Sequence, residues 1–313
     1  MPSKKVLVCF LLLPLIILSC QPAKDNSGTD HKLKVIATIF PLYDFARIVG
    51  GEKVSVTMLL PPGTDAHSYE LRPDDIIKVS KNNIFLFINF EMEQWAYKII
   101  NVAKENTNML AVETGQGAFL LPLTDIDKQN GQEEHASKFD PHIWLDFDNA
   151  QRMIDKIAAS FIRKDSKNSD YYLKNAREYK LKLRALDKRY HKELNKCQTK
   201  VILHAGHWAF AYLAKKYNLK YIAAYSTSAE AEPLPQNIFT LVKEIKKLKL
   251  PYIYYEDFIA PRLAQTIAQE TGAKLLKLNN GHDISKDDIK KGATFISLME
   301  ENLVNLKKGM LCP

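Results

Sequence analysis

Two similar α/β lobes, each a mainly parallel sheet flanked by helices and joined by one long rigid helix, are the fold class that this sequence predicts. Three observations predict it. Short β-branched or aromatic runs recur in both halves, amphipathic stretches alternate with them, and one uninterrupted apolar stripe of helical spacing runs between the halves. Strand alternating with helix marks a parallel sheet covered on both faces, because parallel neighbours are joined by crossovers that pack back onto the sheet. At roughly 150 residues per domain, a 313-residue chain holds about two such units.

Residues 1–19 read as a lipoprotein signal peptide. Lys4 and Lys5 precede an apolar core over 6–18, shorter than the ~20 residues a spanning helix needs. Ile17-Leu18-Ser19-Cys20 resembles a bacterial lipobox, which would make Cys20 the lipidated first residue of the mature chain and its membrane anchor; an ordinary cleaved signal ending near a cysteine is the alternative. Residues 20–31 are polar and contain Ser, Gly and Asp, as a flexible tether should.

The N-terminal lobe, 32–165, carries strand-like runs at 34–39, 54–59 and 84–88, with helices starting near Leu42, Pro73 and Trp95. The connecting helix, 166–196, places Tyr172, Ala176, Tyr179, Leu183, Leu186 and Tyr190 three and four residues apart behind an N-cap at Ser169. Helical from 170 to 196, it covers roughly 40 Å and serves either as a strut along both lobes or as a charged surface helix. The C-terminal lobe, 197–313, repeats the pattern with strands at 201–203, 221–223, 252–255 and 275–278, and helices at 208–217, 236–248, 261–270 and 292–307.

A chain 46% hydrophobic and 26% charged is not disordered. Its net charge of +8 is spread along the whole length with no basic block dense enough for a phosphate backbone, which excludes nucleic acid as a partner. The leader takes Lys4 and Lys5 with it, and the mild basicity that remains favours an anionic membrane surface. Cys9 also leaves with the leader and Cys20 is claimed by lipid. In an oxidising compartment the remaining Cys197 and Cys312 form one disulfide, or else stand as two unpaired thiols.

Four of the eight histidines have a local reason to be functional. His67 ends the turn-rich loop Pro61-Pro62-Gly63-Thr64-Asp65-Ala66-His67 after a strand, where parallel sheets bind ligands. His142 lies in the rigid segment Asp140-Pro141-His142-Ile143-Trp144-Leu145-Asp146 before a helix, His207 at a helix start after a strand, and His282 after the last strand. Four imidazoles converging between two sheets make a transition-metal site, and imidazole suits zinc better than manganese, which favours oxygen. Their separations of 75, 65 and 75 residues match no local zinc motif, so the spacing itself carries little weight.

Several segments resemble the metal-binding lipoproteins of bacterial zinc and manganese ABC importers, the cluster A-I solute-binding family. They are Ile39-Phe40-Pro41-Leu42, Gly63-Thr64-Asp65-Ala66-His67-Ser68-Tyr69-Glu70, Glu93-Gln94-Trp95, Asp140 through Asp146, His207-Trp208-Ala209-Phe210-Ala211-Tyr212-Leu213-Ala214, Glu232-Pro233-Leu234-Pro235, and Glu256 through Ala273. The resemblance spans about Lys34 to Cys312. It implies that His67, His142 and His207 coordinate the metal, as all three are histidine in zinc members, and that the long helix links the lobes rigidly.

The family's fourth ligand is usually an aspartate after the last strand of the C-terminal lobe. Here Leu278-Asn279-Asn280 stands in its place, which points to His282 three residues beyond Asn279, with Asn279, Asp283 or a water as alternatives. His204 reads as a core or supporting residue, His31 and His191 as solvated, and the reduced acidic loop with His135 as solvated too. Asp146 and Glu232 are expected to accept from imidazole N–H groups.

The resemblance implies a monomeric, membrane-anchored receptor outside the cytoplasm, in the periplasm or at the cell surface. It would capture Zn2+, or alternatively Mn2+, between the lobes and hand it to an ABC permease without chemical turnover. A zinc hydrolase with Glu256 or Glu232 as base, and a surface adhesin stabilised by metal, are the competing classes. Because ligating imidazoles must be neutral, affinity should weaken as pH falls through roughly 6.5.

Overall fold

The computed structural model describes Met1 and residues 32–313, apart from 107, 124–137, 228–231, 234, 259 and 260. The body of the leader, Cys20, the tether with His31, and His135 therefore lie outside the described residues.

In the first half, β1 (Leu33–Ala37), β2 (Val54–Met58), β3 (Ile84–Phe87) and β4 (Leu110–Glu113) form one parallel sheet in the order β2-β1-β3-β4. The four residues of β3, Ile-Phe-Leu-Phe, are all buried, the continuous apolar run expected of a strand covered on both faces. The fourth strand was not expected from sequence. As Leu-Ala-Val-Glu on the sheet edge it is only half-buried throughout, and so carries little apolar signal. Helices α1 (Phe40–Gly50), α2 (Pro73–Ser80) and α3 (Ala96–Asn106) cross between strands. A proline in the first turn of α1 and of α2 sits where its missing N–H has no helical partner to lose.

After α4 (Phe147–Lys164) comes α5 (Ser169–Leu194), 26 residues long, with Asn168 rather than Ser169 at its N-cap. Its whole stripe, Tyr172, Ala176, Tyr179, Leu183, Leu186 and Tyr190, is buried. The second half contains β5 (Val201–His204), α6 (Ala211–Lys216), β6 (Lys220–Ala223), α7 (Pro235–Leu248), β7 (Tyr252–Tyr255), α8 (Pro261–Thr271), β8 (Lys274–Lys277), α9 (Lys286–Lys290) and α10 (Phe295–Gly309). Its strands repeat the first sheet's pattern, β6-β5-β7-β8, all parallel. Two elements differ from expectation: α6 is shorter than 208–217, and α9 is a single turn too brief to show periodicity.

The long helix packs against α1, α4 and α10, so it touches both halves and is a strut rather than a surface helix. One apolar core runs from the first sheet through α5 into α6 and α10, with a smaller second cluster around β7, α7 and α8. Buried Asp44 fastens the junction: its Oδ2 accepts from Tyr179 on α5 at 3.1 Å and from the Phe295 backbone N–H at the start of α10 at 2.8 Å. Cys197 and Cys312 are bonded, tying the residues before β5 to the chain end across 115 positions.

The end of the first sheet is pinned by Glu93. Its carboxyl accepts from Thr38 Oγ1 at 2.5 Å, Ile88 N at 3.0 Å and Asn89 N at 3.2 Å, and burial pushes its pKa up to about 7. Glu93→Ala would strand two buried N–H groups and a hydroxyl, and should lower unfolding free energy by about 2–4 kcal/mol in urea titrations. With a folded pKa raised from 4.5, the stabilisation is full below pH 4.5 and is lost as pH rises through about 7. Glu93→Gln should flatten that slope.

Candidate metal centre

Every strand of both sheets points its C-terminal end toward one crevice, where open parallel sheets place ligands. His67 enters it on the loop after β2, His142 after β4, His207 just after β5 and His282 after β8. His142 and His207 are fully buried, His282 nearly so, and His67 is half-buried.

Each loop is held from behind. Asp65 accepts from the His67 backbone N–H at 3.1 Å and from Ser68 Oγ at 3.0 Å, closing the turn, while Trp95 Nε1 donates to Ala66 O at 2.9 Å. That contact explains the Glu93-Gln94-Trp95 segment: the glutamate fixes the sheet end and the tryptophan braces the histidine loop. His142 is held through Asp140, whose Oδ1 receives its backbone N–H at 2.9 Å and its Nδ1 at 2.8 Å. His207 is held by Glu256 on the loop after β7, whose Oε2 receives the backbone N–H at 3.1 Å and Nδ1 at 2.8 Å. Only glycine fits at 206, since a Cβ there would stand 2.3 Å from Glu256 Oε2.

These bonds decide which nitrogen is free. A carboxylate only accepts, so His142 and His207 carry a proton on Nδ1 and turn the Nε2 lone pair into the crevice. The two Nε2 atoms stand 3.1 Å apart, and His67 Nε2 stands 3.3 Å from that of His142. The ligand nitrogens of all three lie within 4.8 Å of one another. Lone pairs facing each other at this distance repel unless a positive charge lies between them.

Without metal, a proton does so. Burial alone would lower the His207 pKa, but the Glu256 carboxylate against it prevails and pushes it up to about 9. Burial likewise opposes charge on Glu256, yet His207 and His204 hold that carboxyl down to about 2. Burial lowers His67 to about 3 and His142 well below the ordinary imidazole value, helped by the neighbouring rings. A dication answers the same need, because four nitrogens at 2.0–2.1 Å from a tetrahedral zinc stand about 3.3 Å apart.

His282 stands beside this trio. Its ring centroid is 5.9 Å from that of His67, 5.7 Å from His142 and 5.6 Å from His207. Nε2 pairs with Asp283 Oδ2 at 3.1 Å, and Nδ1 is buried with no hydrogen-bond partner among the described residues. Asn279 is committed elsewhere: its Oδ1 accepts from Gly281 N at 2.7 Å, and its backbone pairs with Asn302. His204 lies outside the trio, fully buried, with Nδ1 3.2 Å from both His207 O and Tyr221 Oη.

Two expectations about supporting carboxylates are corrected. Asp146 caps α4 through the Asp148 backbone N–H at 2.7 Å and pairs with Lys216 at 3.2 Å, and Glu232 is exposed. Asp140 and Glu256 take the role instead. The Asp-Pro-His sequence was the available signal for the first, but Glu256 follows His207 by 49 positions and only the fold joins them. As a hydrolytic base Glu256 is badly placed, with Oε2 committed to His207 and Oε1 accepting from Asn280 at 2.7 Å.

A family model described as the zinc-uptake complex component A, periplasmic, matches residues 35–309. The zinc-binding lipoprotein AdcA of Streptococcus pneumoniae is 33% identical over 304 residues, covering 96% of this chain and 60% of that protein. The chain thus spans less than two thirds of that relative. The high-affinity zinc uptake system protein ZnuA of Bacillus subtilis is 31% identical over 320 residues, 98% of this chain and 96% of the relative. A manganese ABC transporter substrate-binding lipoprotein, PsaA of Streptococcus anginosus, is 28% identical across 97% of both. The crystal structure of the Zn(II)-bound ZnuA-like domain of S. pneumoniae AdcA superposes with a TM-score of 0.74 at 32% identity, covering 89% of this chain and 99% of that one.

Proposed function

The chain belongs to the zinc-uptake complex component A family, a family of metal-binding proteins of importers and not of enzymes, and from that premise we propose that it captures zinc between its lobes. His67, His142 and His207 are the ligands in this reading, and His282 beside them is the candidate for the fourth position, its Nδ1 without a hydrogen-bond partner among the described residues while its Nε2 meets Asp283. The carrying observation is the convergence of three Nε2 atoms, two of them on rings whose Nδ1 a buried carboxylate holds.

An all-imidazole donor set favours zinc over manganese, which takes oxygen ligands. Lipidation at Cys20 would keep the receptor at the outer face of the membrane, where an ABC permease takes the ion from it. Metal analysis of protein purified without added metal, followed by competitive titration of Zn2+ against Mn2+, tests the reading. Bound zinc and at least a hundredfold preference are expected; manganese bound equally well would refute it.

The raised pKa of His207 changes the expected pH response. A group protonated up to about pH 9 without metal must release that proton to coordinate, so zinc affinity should climb steadily between pH 6 and 8 instead of levelling off above 6.5. Calorimetry in buffers of different ionisation enthalpy should detect about one proton released per ion bound.

A further inference from the structure

We propose that Asn280 is a positioning residue that locks His207 and His282 into one unit, an inference that rests on the zinc-site reading above. Asn280 is 1% exposed. Its Nδ2 donates to Glu256 Oε1 at 2.7 Å and to Asp283 Oδ2 at 2.8 Å. Glu256 is the carboxylate that holds His207, and Asp283 is the one that pairs with His282. One amide therefore bridges the supports of two candidate ligands that come from different loops.

The rest of the side chain is also engaged. Oδ1 accepts from the His282 and Asp283 backbone N–H groups, both at 2.9 Å, and the Asn280 carbonyl accepts from Trp144 Nε1 at 2.7 Å. Trp144 follows His142 by two residues, so a third ligand loop reaches the same point. Gly281, at φ 86°, supplies the left-handed turn that brings the next residues back over the amide.

Few side chains can do this. Bridging two carboxylates 2.7 and 2.8 Å away demands two N–H donors in a planar fork, and capping the turn demands an acceptor with two lone pairs; asparagine supplies both. Aspartate at 280 would set a third negative charge between two others, and serine could cap the turn but donates only once. When Asn280 holds both carboxylates, neither imidazole can rotate without disturbing the other.

The test compares Asn280→Ser with His142→Ala, His282→Ala and the double variant Asn280→Ser/His282→Ala, all on the whole chain. Zinc affinity is read by competition with a chelator dye, and ligand orientation by the visible spectrum of the Co2+-loaded protein. Asn280→Ser should weaken zinc by about 10–100-fold, the range typical for groups that orient ligands, and should shift the Co2+ bands at saturation. Its effect should shrink severalfold when His282 is already gone. Unchanged affinity and spectrum, or a loss equally large in the His282→Ala background, overturns the proposal. Should Asn280→Ser not fold, Asn280→Gln, which keeps the neutral amide but displaces it by one methylene, is judged by the same readings. If His142→Ala binds zinc normally, the site reading itself fails, a result separate from any obtained at 280.

Discussion

Replacing His142 with alanine is expected to weaken zinc binding by about 10²–10³-fold while the chain remains folded. Zinc held by a full protein ligand set is worth about 10–16 kcal/mol, so one of four ligands carries about 3–4 kcal/mol, or two to three powers of ten. The same order of loss is expected for His207→Ala and His67→Ala. His142 and His207 are buried and their removal strands Asp140 and Glu256, whereas His67 is half-buried and its Nε2 has the His142 ring as partner. His67→Ala should therefore disturb metal-free melting least. Chelator competition paired with thermal melts of metal-free protein checks both halves of the expectation. Wild-type affinity in all three variants would dispose of the site.

The second large effect concerns Cys197 and Cys312. Opening a loop of 115 positions restores chain entropy to the unfolded state, and Cys197→Ser with Cys312→Ser should cost about 2–5 kcal/mol in urea unfolding. Zinc affinity at 25 °C should not change. The bond lies before the first residue of β5, at the opposite end of that strand from His207. A drop in affinity matching the drop in stability would show that the two ends of the strand are coupled after all.

Much of this was legible in the chain itself, for reasons that differ from residue to residue. His67, His142 and His207 stand out because each follows a strand or opens a helix, a local property that sequence carries. The strut is legible because six apolar residues keep helical spacing without interruption. Strand β4 is not, since an edge strand of Leu-Ala-Val-Glu needs no continuous apolar run. The carboxylates are harder still. Asp140 and Asp146 flank the same histidine, and nothing in their order says that one holds the ring and the other caps a helix. Glu256 and Asn280 meet their partners through the pairing of β5 with β7 and of β7 with β8, which no spacing encodes.

The half-buried state of His67 has its own consequence. With His142 and His207 sealed and His67 still partly reached by solvent, His67 is the first of the three rings that an arriving dication would meet.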